Sequence, residues 1–181
     1  LKAYTNEDLR DKHACYDPIK HFKEYKGYTL LDYLGHKTCP LKDRVWCVTR
    51  FLDDRSSRLF AVWCARRALK LIEDPDPRSL KAIEIVEKFA NSEASLEELG
   101  KAYEDAEDAT CAANTTCAAI AAHAVYSASI IDSTNAAYLA ATESASCSAA
   151  YVNDCAYFDV ELERQIEKLE EEIKAGNWRE K

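Results

Sequence analysis

The chain reads as an all-α protein, a compact multi-helix bundle. Three observations predict this. Gly and Pro number only four each in 181 residues, so few turns interrupt the chain, which argues against a sandwich or barrel. Alanine, the best intrinsic helix former, is abundant. Apolar residues recur at intervals of three and four along most of the chain, the pattern of helices that bury one face.

The elements follow in order. Thr5 is a good N-cap with Asp8 in the first turn, and that helix is expected to run to about Cys15. Asp17 and Pro18 open a second, with Ile19, Phe22 and Tyr25 at helical spacing and Gly27 just past its end. A short helix over Leu30–Leu34 stops at Gly35. Cys39 and Pro40 open the next, whose Leu41, Val45, Val48, Phe51 and Leu52 form a core-facing stripe beside Trp46. Asp53 and Asp54 break the pattern. Leu59, Phe60, Val62, Trp63, Ala65, Leu69 and Ile72 then mark a longer helix. The run 73–78 is the best internal boundary: Asp76 can cap and Pro77 suits the first helical position. Leu80, Ile83, Val86 and Phe89 make an amphipathic helix that Asn91 closes. Ser95 and Glu98 form a capping box.

From Ser95 onward three long helices are expected: 96–130 with an interruption, 134–152, and 154 to Ala175 with Gly176 past the end. Ala pairs at 112–113, 118–119, 121–122, 136–137, 140–141 and 149–150 recur at helical spacing, and small residues let helix axes approach closely. In the last helix Leu162, Ile166, Leu169 and Ile173 form a coiled-coil-like stripe. It packs either on the body of the chain or on a second copy, giving a monomer or a dimer. The expected whole is one continuous domain in two parts, 1–72 and 73–181, large enough to need no staple.

Charge divides at that boundary. Residues 1–72 hold fifteen Lys and Arg against nine Asp and Glu, whereas residues 73–181 hold nine against twenty-three. From Ala102 through Glu163 there is no Lys or Arg. This is either ordinary drift of solvated charge or a pair of surfaces with opposite potentials, one attractive to phosphates and one to basic protein grooves. The Ala-rich stretch 109–160 carries Asn114, Asp132, Asn135, Glu143, Asn153 and Asp154, too many polar groups for a membrane span. Lys2, Glu7, Asp8 and Arg10 precede any apolar run, so no signal peptide is expected and the location predicted is the cytoplasm of a bacterial host. The eight Cys, without a CxxC, read as reduced thiols that fill the core.

The stretch Arg58–Leu69, the stretch Asp76–Asn91, the Glu97-Glu98-Leu99 capping segment and the Ala-rich tract together resemble a group of Ala-rich helical proteins of phages and bacterial chromosomes, some described as immunity proteins of polymorphic-toxin systems. The resemblance spans about residues 44–150. Cys, Thr, Asn and Ser stand here where those proteins usually carry Trp and Arg. It implies a phage or prokaryotic origin, a role in conflict between genetic elements, and no catalytic residues.

No constellation for chemistry outweighs its plain structural reading. His13 with Cys15 and His36 with Cys39 have zinc-ligand chemistry but lack ligand spacing. Cys117 and His123 lie nearly opposite on one helix. Glu104 with Asp108, Glu163 with Glu167, and Glu167 with Glu171 are paired carboxylates without the E-x-x-H partner of a di-metal bundle. No catalytic residue, metal or cofactor is therefore assigned.

Two surfaces remain. Glu97, Glu98, Glu104, Asp105, Glu107 and Asp108 are the densest acidic cluster and are assigned to a protein partner; a row of carboxylates resembles a phosphate track. Arg55, Arg58, Arg66, Arg67 and Lys70 beside Trp63, with Lys20, Lys23 and Lys26 beside Tyr25 and Tyr28, suit nucleic acid, or else neutralise the chain's own acidic half. The function expected first is an immunity or anti-defence protein, such as an anti-CRISPR inhibitor, that blocks a nuclease by charge complementarity. A nucleic-acid-binding accessory protein and a self-assembling structural protein are the alternatives.

Overall fold

The computed structural model describes residues 1–12, 20, 22, 27–113, 116–130, 132–154 and 156–181. Among them run nine helices: α1 Asn6–Asp11, α2 Leu30–Leu34, α3 Leu41–Phe51, α4 Asp54–Leu69, α5 Pro77–Ala90, α6 Leu96–Ala112, α7 Thr116–Ala128, α8 Ser133–Val152 and α9 Ala156–Lys174. No strand occurs among the described residues; only the isolated bridges Tyr4–Tyr28 and Leu52–Glu180 pair extended backbone. No described helix is long and apolar enough to cross a membrane.

Local chemistry sets the helix starts. Thr5 with Asp8, Thr29 with Asp32, and Ser95 with Glu98 form reciprocal capping boxes that satisfy otherwise unpaired backbone amides. Asp53 accepts from the Ser56 amide, so the acidic pair that breaks α3 also begins α4. Asp76 caps α5 with Pro77 in its first turn. At the far end, Gly176 takes a left-handed φ of 72° just past α9, where a β carbon would be strained.

One boundary differs from expectation. Helix α1 ends at Asp11, short of Cys15, where the Lys12 amide turns back to Asp8 and Arg10. The interruption expected within 96–130 falls at Ala113, which is extended at ψ 131° and ends α6. Gly27 lets two segments touch, since a β carbon there would lie 2.8 Å from the Ala3 β carbon. The helix expected from Pro18, with Ile19 and Tyr25, lies outside the described residues, apart from the buried Phe22.

Helix α4 is the centre. It packs against α5, α7 and α8, while α9 lies against α8 and α3. One apolar cluster runs from Tyr4 to Trp178, so the basic and acidic parts share a core across the 73–78 boundary. Of the Ala pairs, 121–122, 136–137 and 140–141 are buried between helices, whereas 112–113, 118–119 and 149–150 lie nearer the surface. Where Ala leaves the backbone uncovered, neighbours reach it. Gln165 Nε2 of α9 donates to the Ala141 carbonyl of α8 at 2.9 Å, and Cys147 Sγ of α8 approaches the Ala68 carbonyl of α4 at 3.9 Å. Leu162, Ile166, Leu169 and Ile173 are all buried within the chain. The stripe expected to be able to join a second copy is thus consumed in the fold.

Candidate protein-binding surface on α6 to α8

Helix α4 and its end carry the five basic residues, and three of them are engaged by other parts of the fold. Arg58 is only 5% exposed. Its Nη1 donates to the Ile130 carbonyl at 2.9 Å, and its guanidinium lies over the Phe89 ring. Arg66 forms a two-pronged ion pair with Glu87 of α5, at 2.9 and 2.5 Å. Arg67 does the same with Glu161 of α9, at 2.5 and 2.7 Å, while stacking over Trp63. Arg55 donates to the Asn91 side chain, and Lys70 stands exposed at the end of the helix.

The acidic partners respond. The Arg66 guanidinium holds the Glu87 carboxyl below its ordinary range, and Glu161 raises the Arg67 value. Arg58, Arg66 and Arg67 thus join the basic half of the chain to the acidic half, the neutralising role that the sequence offered beside nucleic-acid contact. Lys23, Tyr25 and Lys26 lie outside the described residues; Lys20 is exposed, and Tyr28 packs beside Phe22 and Tyr33.

The acidic cluster has the opposite fate. On α6, Leu99, Ala102, Ala106 and Ala109 are buried, which turns the other side of the helix to solvent. Glu97, Glu98, Glu104, Glu107 and Asp108 are exposed and Asp105 is half-buried. Glu97, Glu104 and Asp108 are seven and four residues apart, a spacing that returns each to the same outer face. The rise of about 1.5 Å per residue separates them by roughly 10 and 6 Å. Two members have local work: the Ser95 amide donates to Glu98 Oε2 at 2.7 Å, and Lys101 Nζ approaches Asp105 at 3.4 Å. The Ser95 hydrogen bonds keep Glu98 below the ordinary glutamate range.

Beside this row lies an aromatic group that sequence reading does not assemble. Tyr103 of α6 packs on Tyr126 of α7, with ring centroids 4.6 Å apart and their hydroxyls hydrogen-bonded. That bond, with help from burial and Glu107, pushes Tyr126 up to about 12. His123 stacks on Tyr126 at 5.4 Å, and its Nδ1 lies 3.3 Å from Glu143 of α8. All four side chains are half-buried. Two helices thus present aromatic rings beside carboxylates such as Glu143 of α8, suited to cationic side chains.

Of the described thiols all but the exposed Cys111 are packed inside. Cys39, Cys47, Cys64 and Cys147 are buried. Burial pushes Cys39 up to about 12 and Cys64 well above the usual thiol value, which suppresses nucleophilic thiolate. His36 hydrogen-bonds to Thr38, while His13, Cys15 and the Cys117 side chain lie outside the described residues. Among the described residues no three His, Cys, Asp or Glu side chains gather as they would around a metal ion. Comparisons with family models, with curated proteins and with solved structures return no match for this chain.

Proposed function

We propose that the chain is a non-enzymatic inhibitor of the immunity or anti-defence kind, which blocks a nuclease or another nucleic-acid-handling protein with the outer surface of α6 to α8. The observation that carries this reading is the exposed row of Glu97, Glu104 and Asp108 next to the Tyr103–Tyr126 pair, in a stretch without Lys or Arg from 102 through 163. Such a row offers a basic groove the charge it would meet along a phosphate backbone. The tyrosines supply the aromatic anchors that concentrate binding energy at protein interfaces. The nucleic-acid reading is weaker, because three of its five α4 residues are engaged within the fold.

The test is affinity capture from a bacterial lysate with two baits, the wild type and the triple variant Glu97→Lys, Glu104→Lys, Asp108→Lys. The wild type should retain a nuclease, toxin or defence protein, and added nucleic acid or salt should release it. The reversed row should retain at least ~10-fold less of it. Retention of the same proteins by both baits, or of no such protein by the wild type, would overturn the proposal.

A further inference from the structure

Tyr126 of α7 forms a short stack with two other rings. Tyr103 lies 4.6 Å from it and His123 5.4 Å, inclined to it by only 38° and 30°. The two tyrosine hydroxyls bond to each other, so their polar tips are engaged and the group offers ring surface. The His123 side chain is 43% exposed and that of Glu143 28%, so a side chain from outside can reach both.

Two carboxylates adjoin the stack. Glu143 of α8 has one oxygen 3.3 Å from His123 Nδ1, and the histidine balances it only when protonated. The Tyr103 hydrogen bond raises Tyr126, and Glu107, one turn beyond Tyr103 on α6, adds to this through its charge. Among the described residues neither carboxylate has a lysine or arginine partner.

Elsewhere the chain shows what such a combination takes. Arg67 lies over Trp63 with its guanidinium 5.1 Å from the ring centre, while both oxygens of Glu161 accept from it. One planar cation thus serves a ring and a carboxylate together. At the Tyr126 stack the rings and the carboxylates recur without a guanidinium from the described residues.

We infer that the Tyr126 stack is the anchor point for one arginine side chain of a protein partner. The inference rests on reading α6 to α8 as the binding face, and it names the residue type that this face takes. The guanidinium lies flat against the accessible ring surface and donates to Glu143, with Glu107 adding to the attraction. Lysine cannot do both, because its ammonium is compact, strongly hydrated and has no flat face. The row of Glu97, Glu104 and Asp108 attracts either cation, whereas the stack discriminates between them.

The probes are two short peptides, arginine alternating with glycine and lysine alternating with glycine. Each is titrated into the full chain at low salt while the His123 ring resonances are followed by NMR. The arginine peptide should shift them saturably and bind at least ~5-fold more tightly than the lysine peptide. Glu143→Gln and Tyr126→Leu should each bring that ratio below ~2, whereas Tyr126→Phe keeps the ring and should preserve it. Glu143→Gln alone decides where Tyr126→Leu lowers the melting temperature. Reversing the row with Glu97→Lys, Glu104→Lys and Asp108→Lys should weaken both peptides and leave the ratio unchanged. Equal affinity of the wild type for the two peptides, or a ratio that survives Glu143→Gln, would overturn the arginine anchor and leave the charge-driven reading of the row intact. A clear arginine preference in a chain that captures no nuclease, toxin or defence protein would overturn that reading and leave the anchor standing. Binding of neither peptide up to ~10 mM would overturn both.

Discussion

Replacing Arg67 by Ala is expected to destabilise the fold by about 3–5 kcal/mol, measured by urea unfolding. Glu161 is 1% exposed, and both of its oxygens accept from Arg67. Without Arg67, the nearest remaining cation is Arg164, whose Nη1 is 3.6 Å away on a half-exposed side chain. A buried carboxylate with one distant partner pays the desolvation cost without the compensating hydrogen bonds. The double variant Arg67→Met, Glu161→Leu should recover most of the loss, because an apolar pair of similar volume needs no partner. A loss below about 1 kcal/mol in the single variant would place the pair among ordinary surface ion pairs and remove its role in joining α4 to α9.

Ala140→Leu is the second large effect, expected at about 2–3 kcal/mol. Ala136, Ala137, Ala140 and Ala141 are all fully buried on α8, which packs against α4, α7 and α9. A longer side chain there must either leave its preferred rotamer or push a neighbouring helix away. Ala149→Leu is the control. It lies on the same helix but is half-buried, and should change stability by less than about 1 kcal/mol. Equal effects at the two positions in thermal unfolding would mean that α8 does not rely on small residues for its packing.

Much of the fold is legible in the sequence because its signals are local. The Ser95–Glu98 box, the Asp76–Pro77 start, the Asn91 stop and the left-handed Gly176 each depend on residues within one helical turn. The buried stripe of α9 follows from spacing alone. The break after Ala112 is not legible in this way. Alanine favours helix on both sides, and no Gly or Pro marks the stop at Ala113. The close approach of Gly27 to Ala3 is not legible either, because it joins residues distant in sequence.

The candidate site divides on the same principle. The exposure of Glu97, Glu104 and Asp108 follows from the amphipathic pattern of α6. The partners of the arginines do not, because Arg67 and Glu161 are 94 residues apart and no periodicity relates them. A net excess of positive charge in residues 1–72 therefore resembles an open basic surface until the packing shows where the guanidinium groups go. Tyr103, Tyr126, His123 and Glu143 come together only through the antiparallel register of α6, α7 and α8, which a break of unrecognised position conceals.

The most direct measurement of this division of charge is a fluorescence-anisotropy titration of labelled duplex DNA with the intact protein at low salt. With Arg58, Arg66 and Arg67 engaged by partners within the fold and the carboxylates outside, no saturable binding is expected up to ~100 μM protein. Saturable binding that falls steeply with added salt, and that is lost when Arg55 and Lys70 are replaced by Ala, would mean that the basic half works as an open phosphate-binding face, contradicting the structure's charge arrangement.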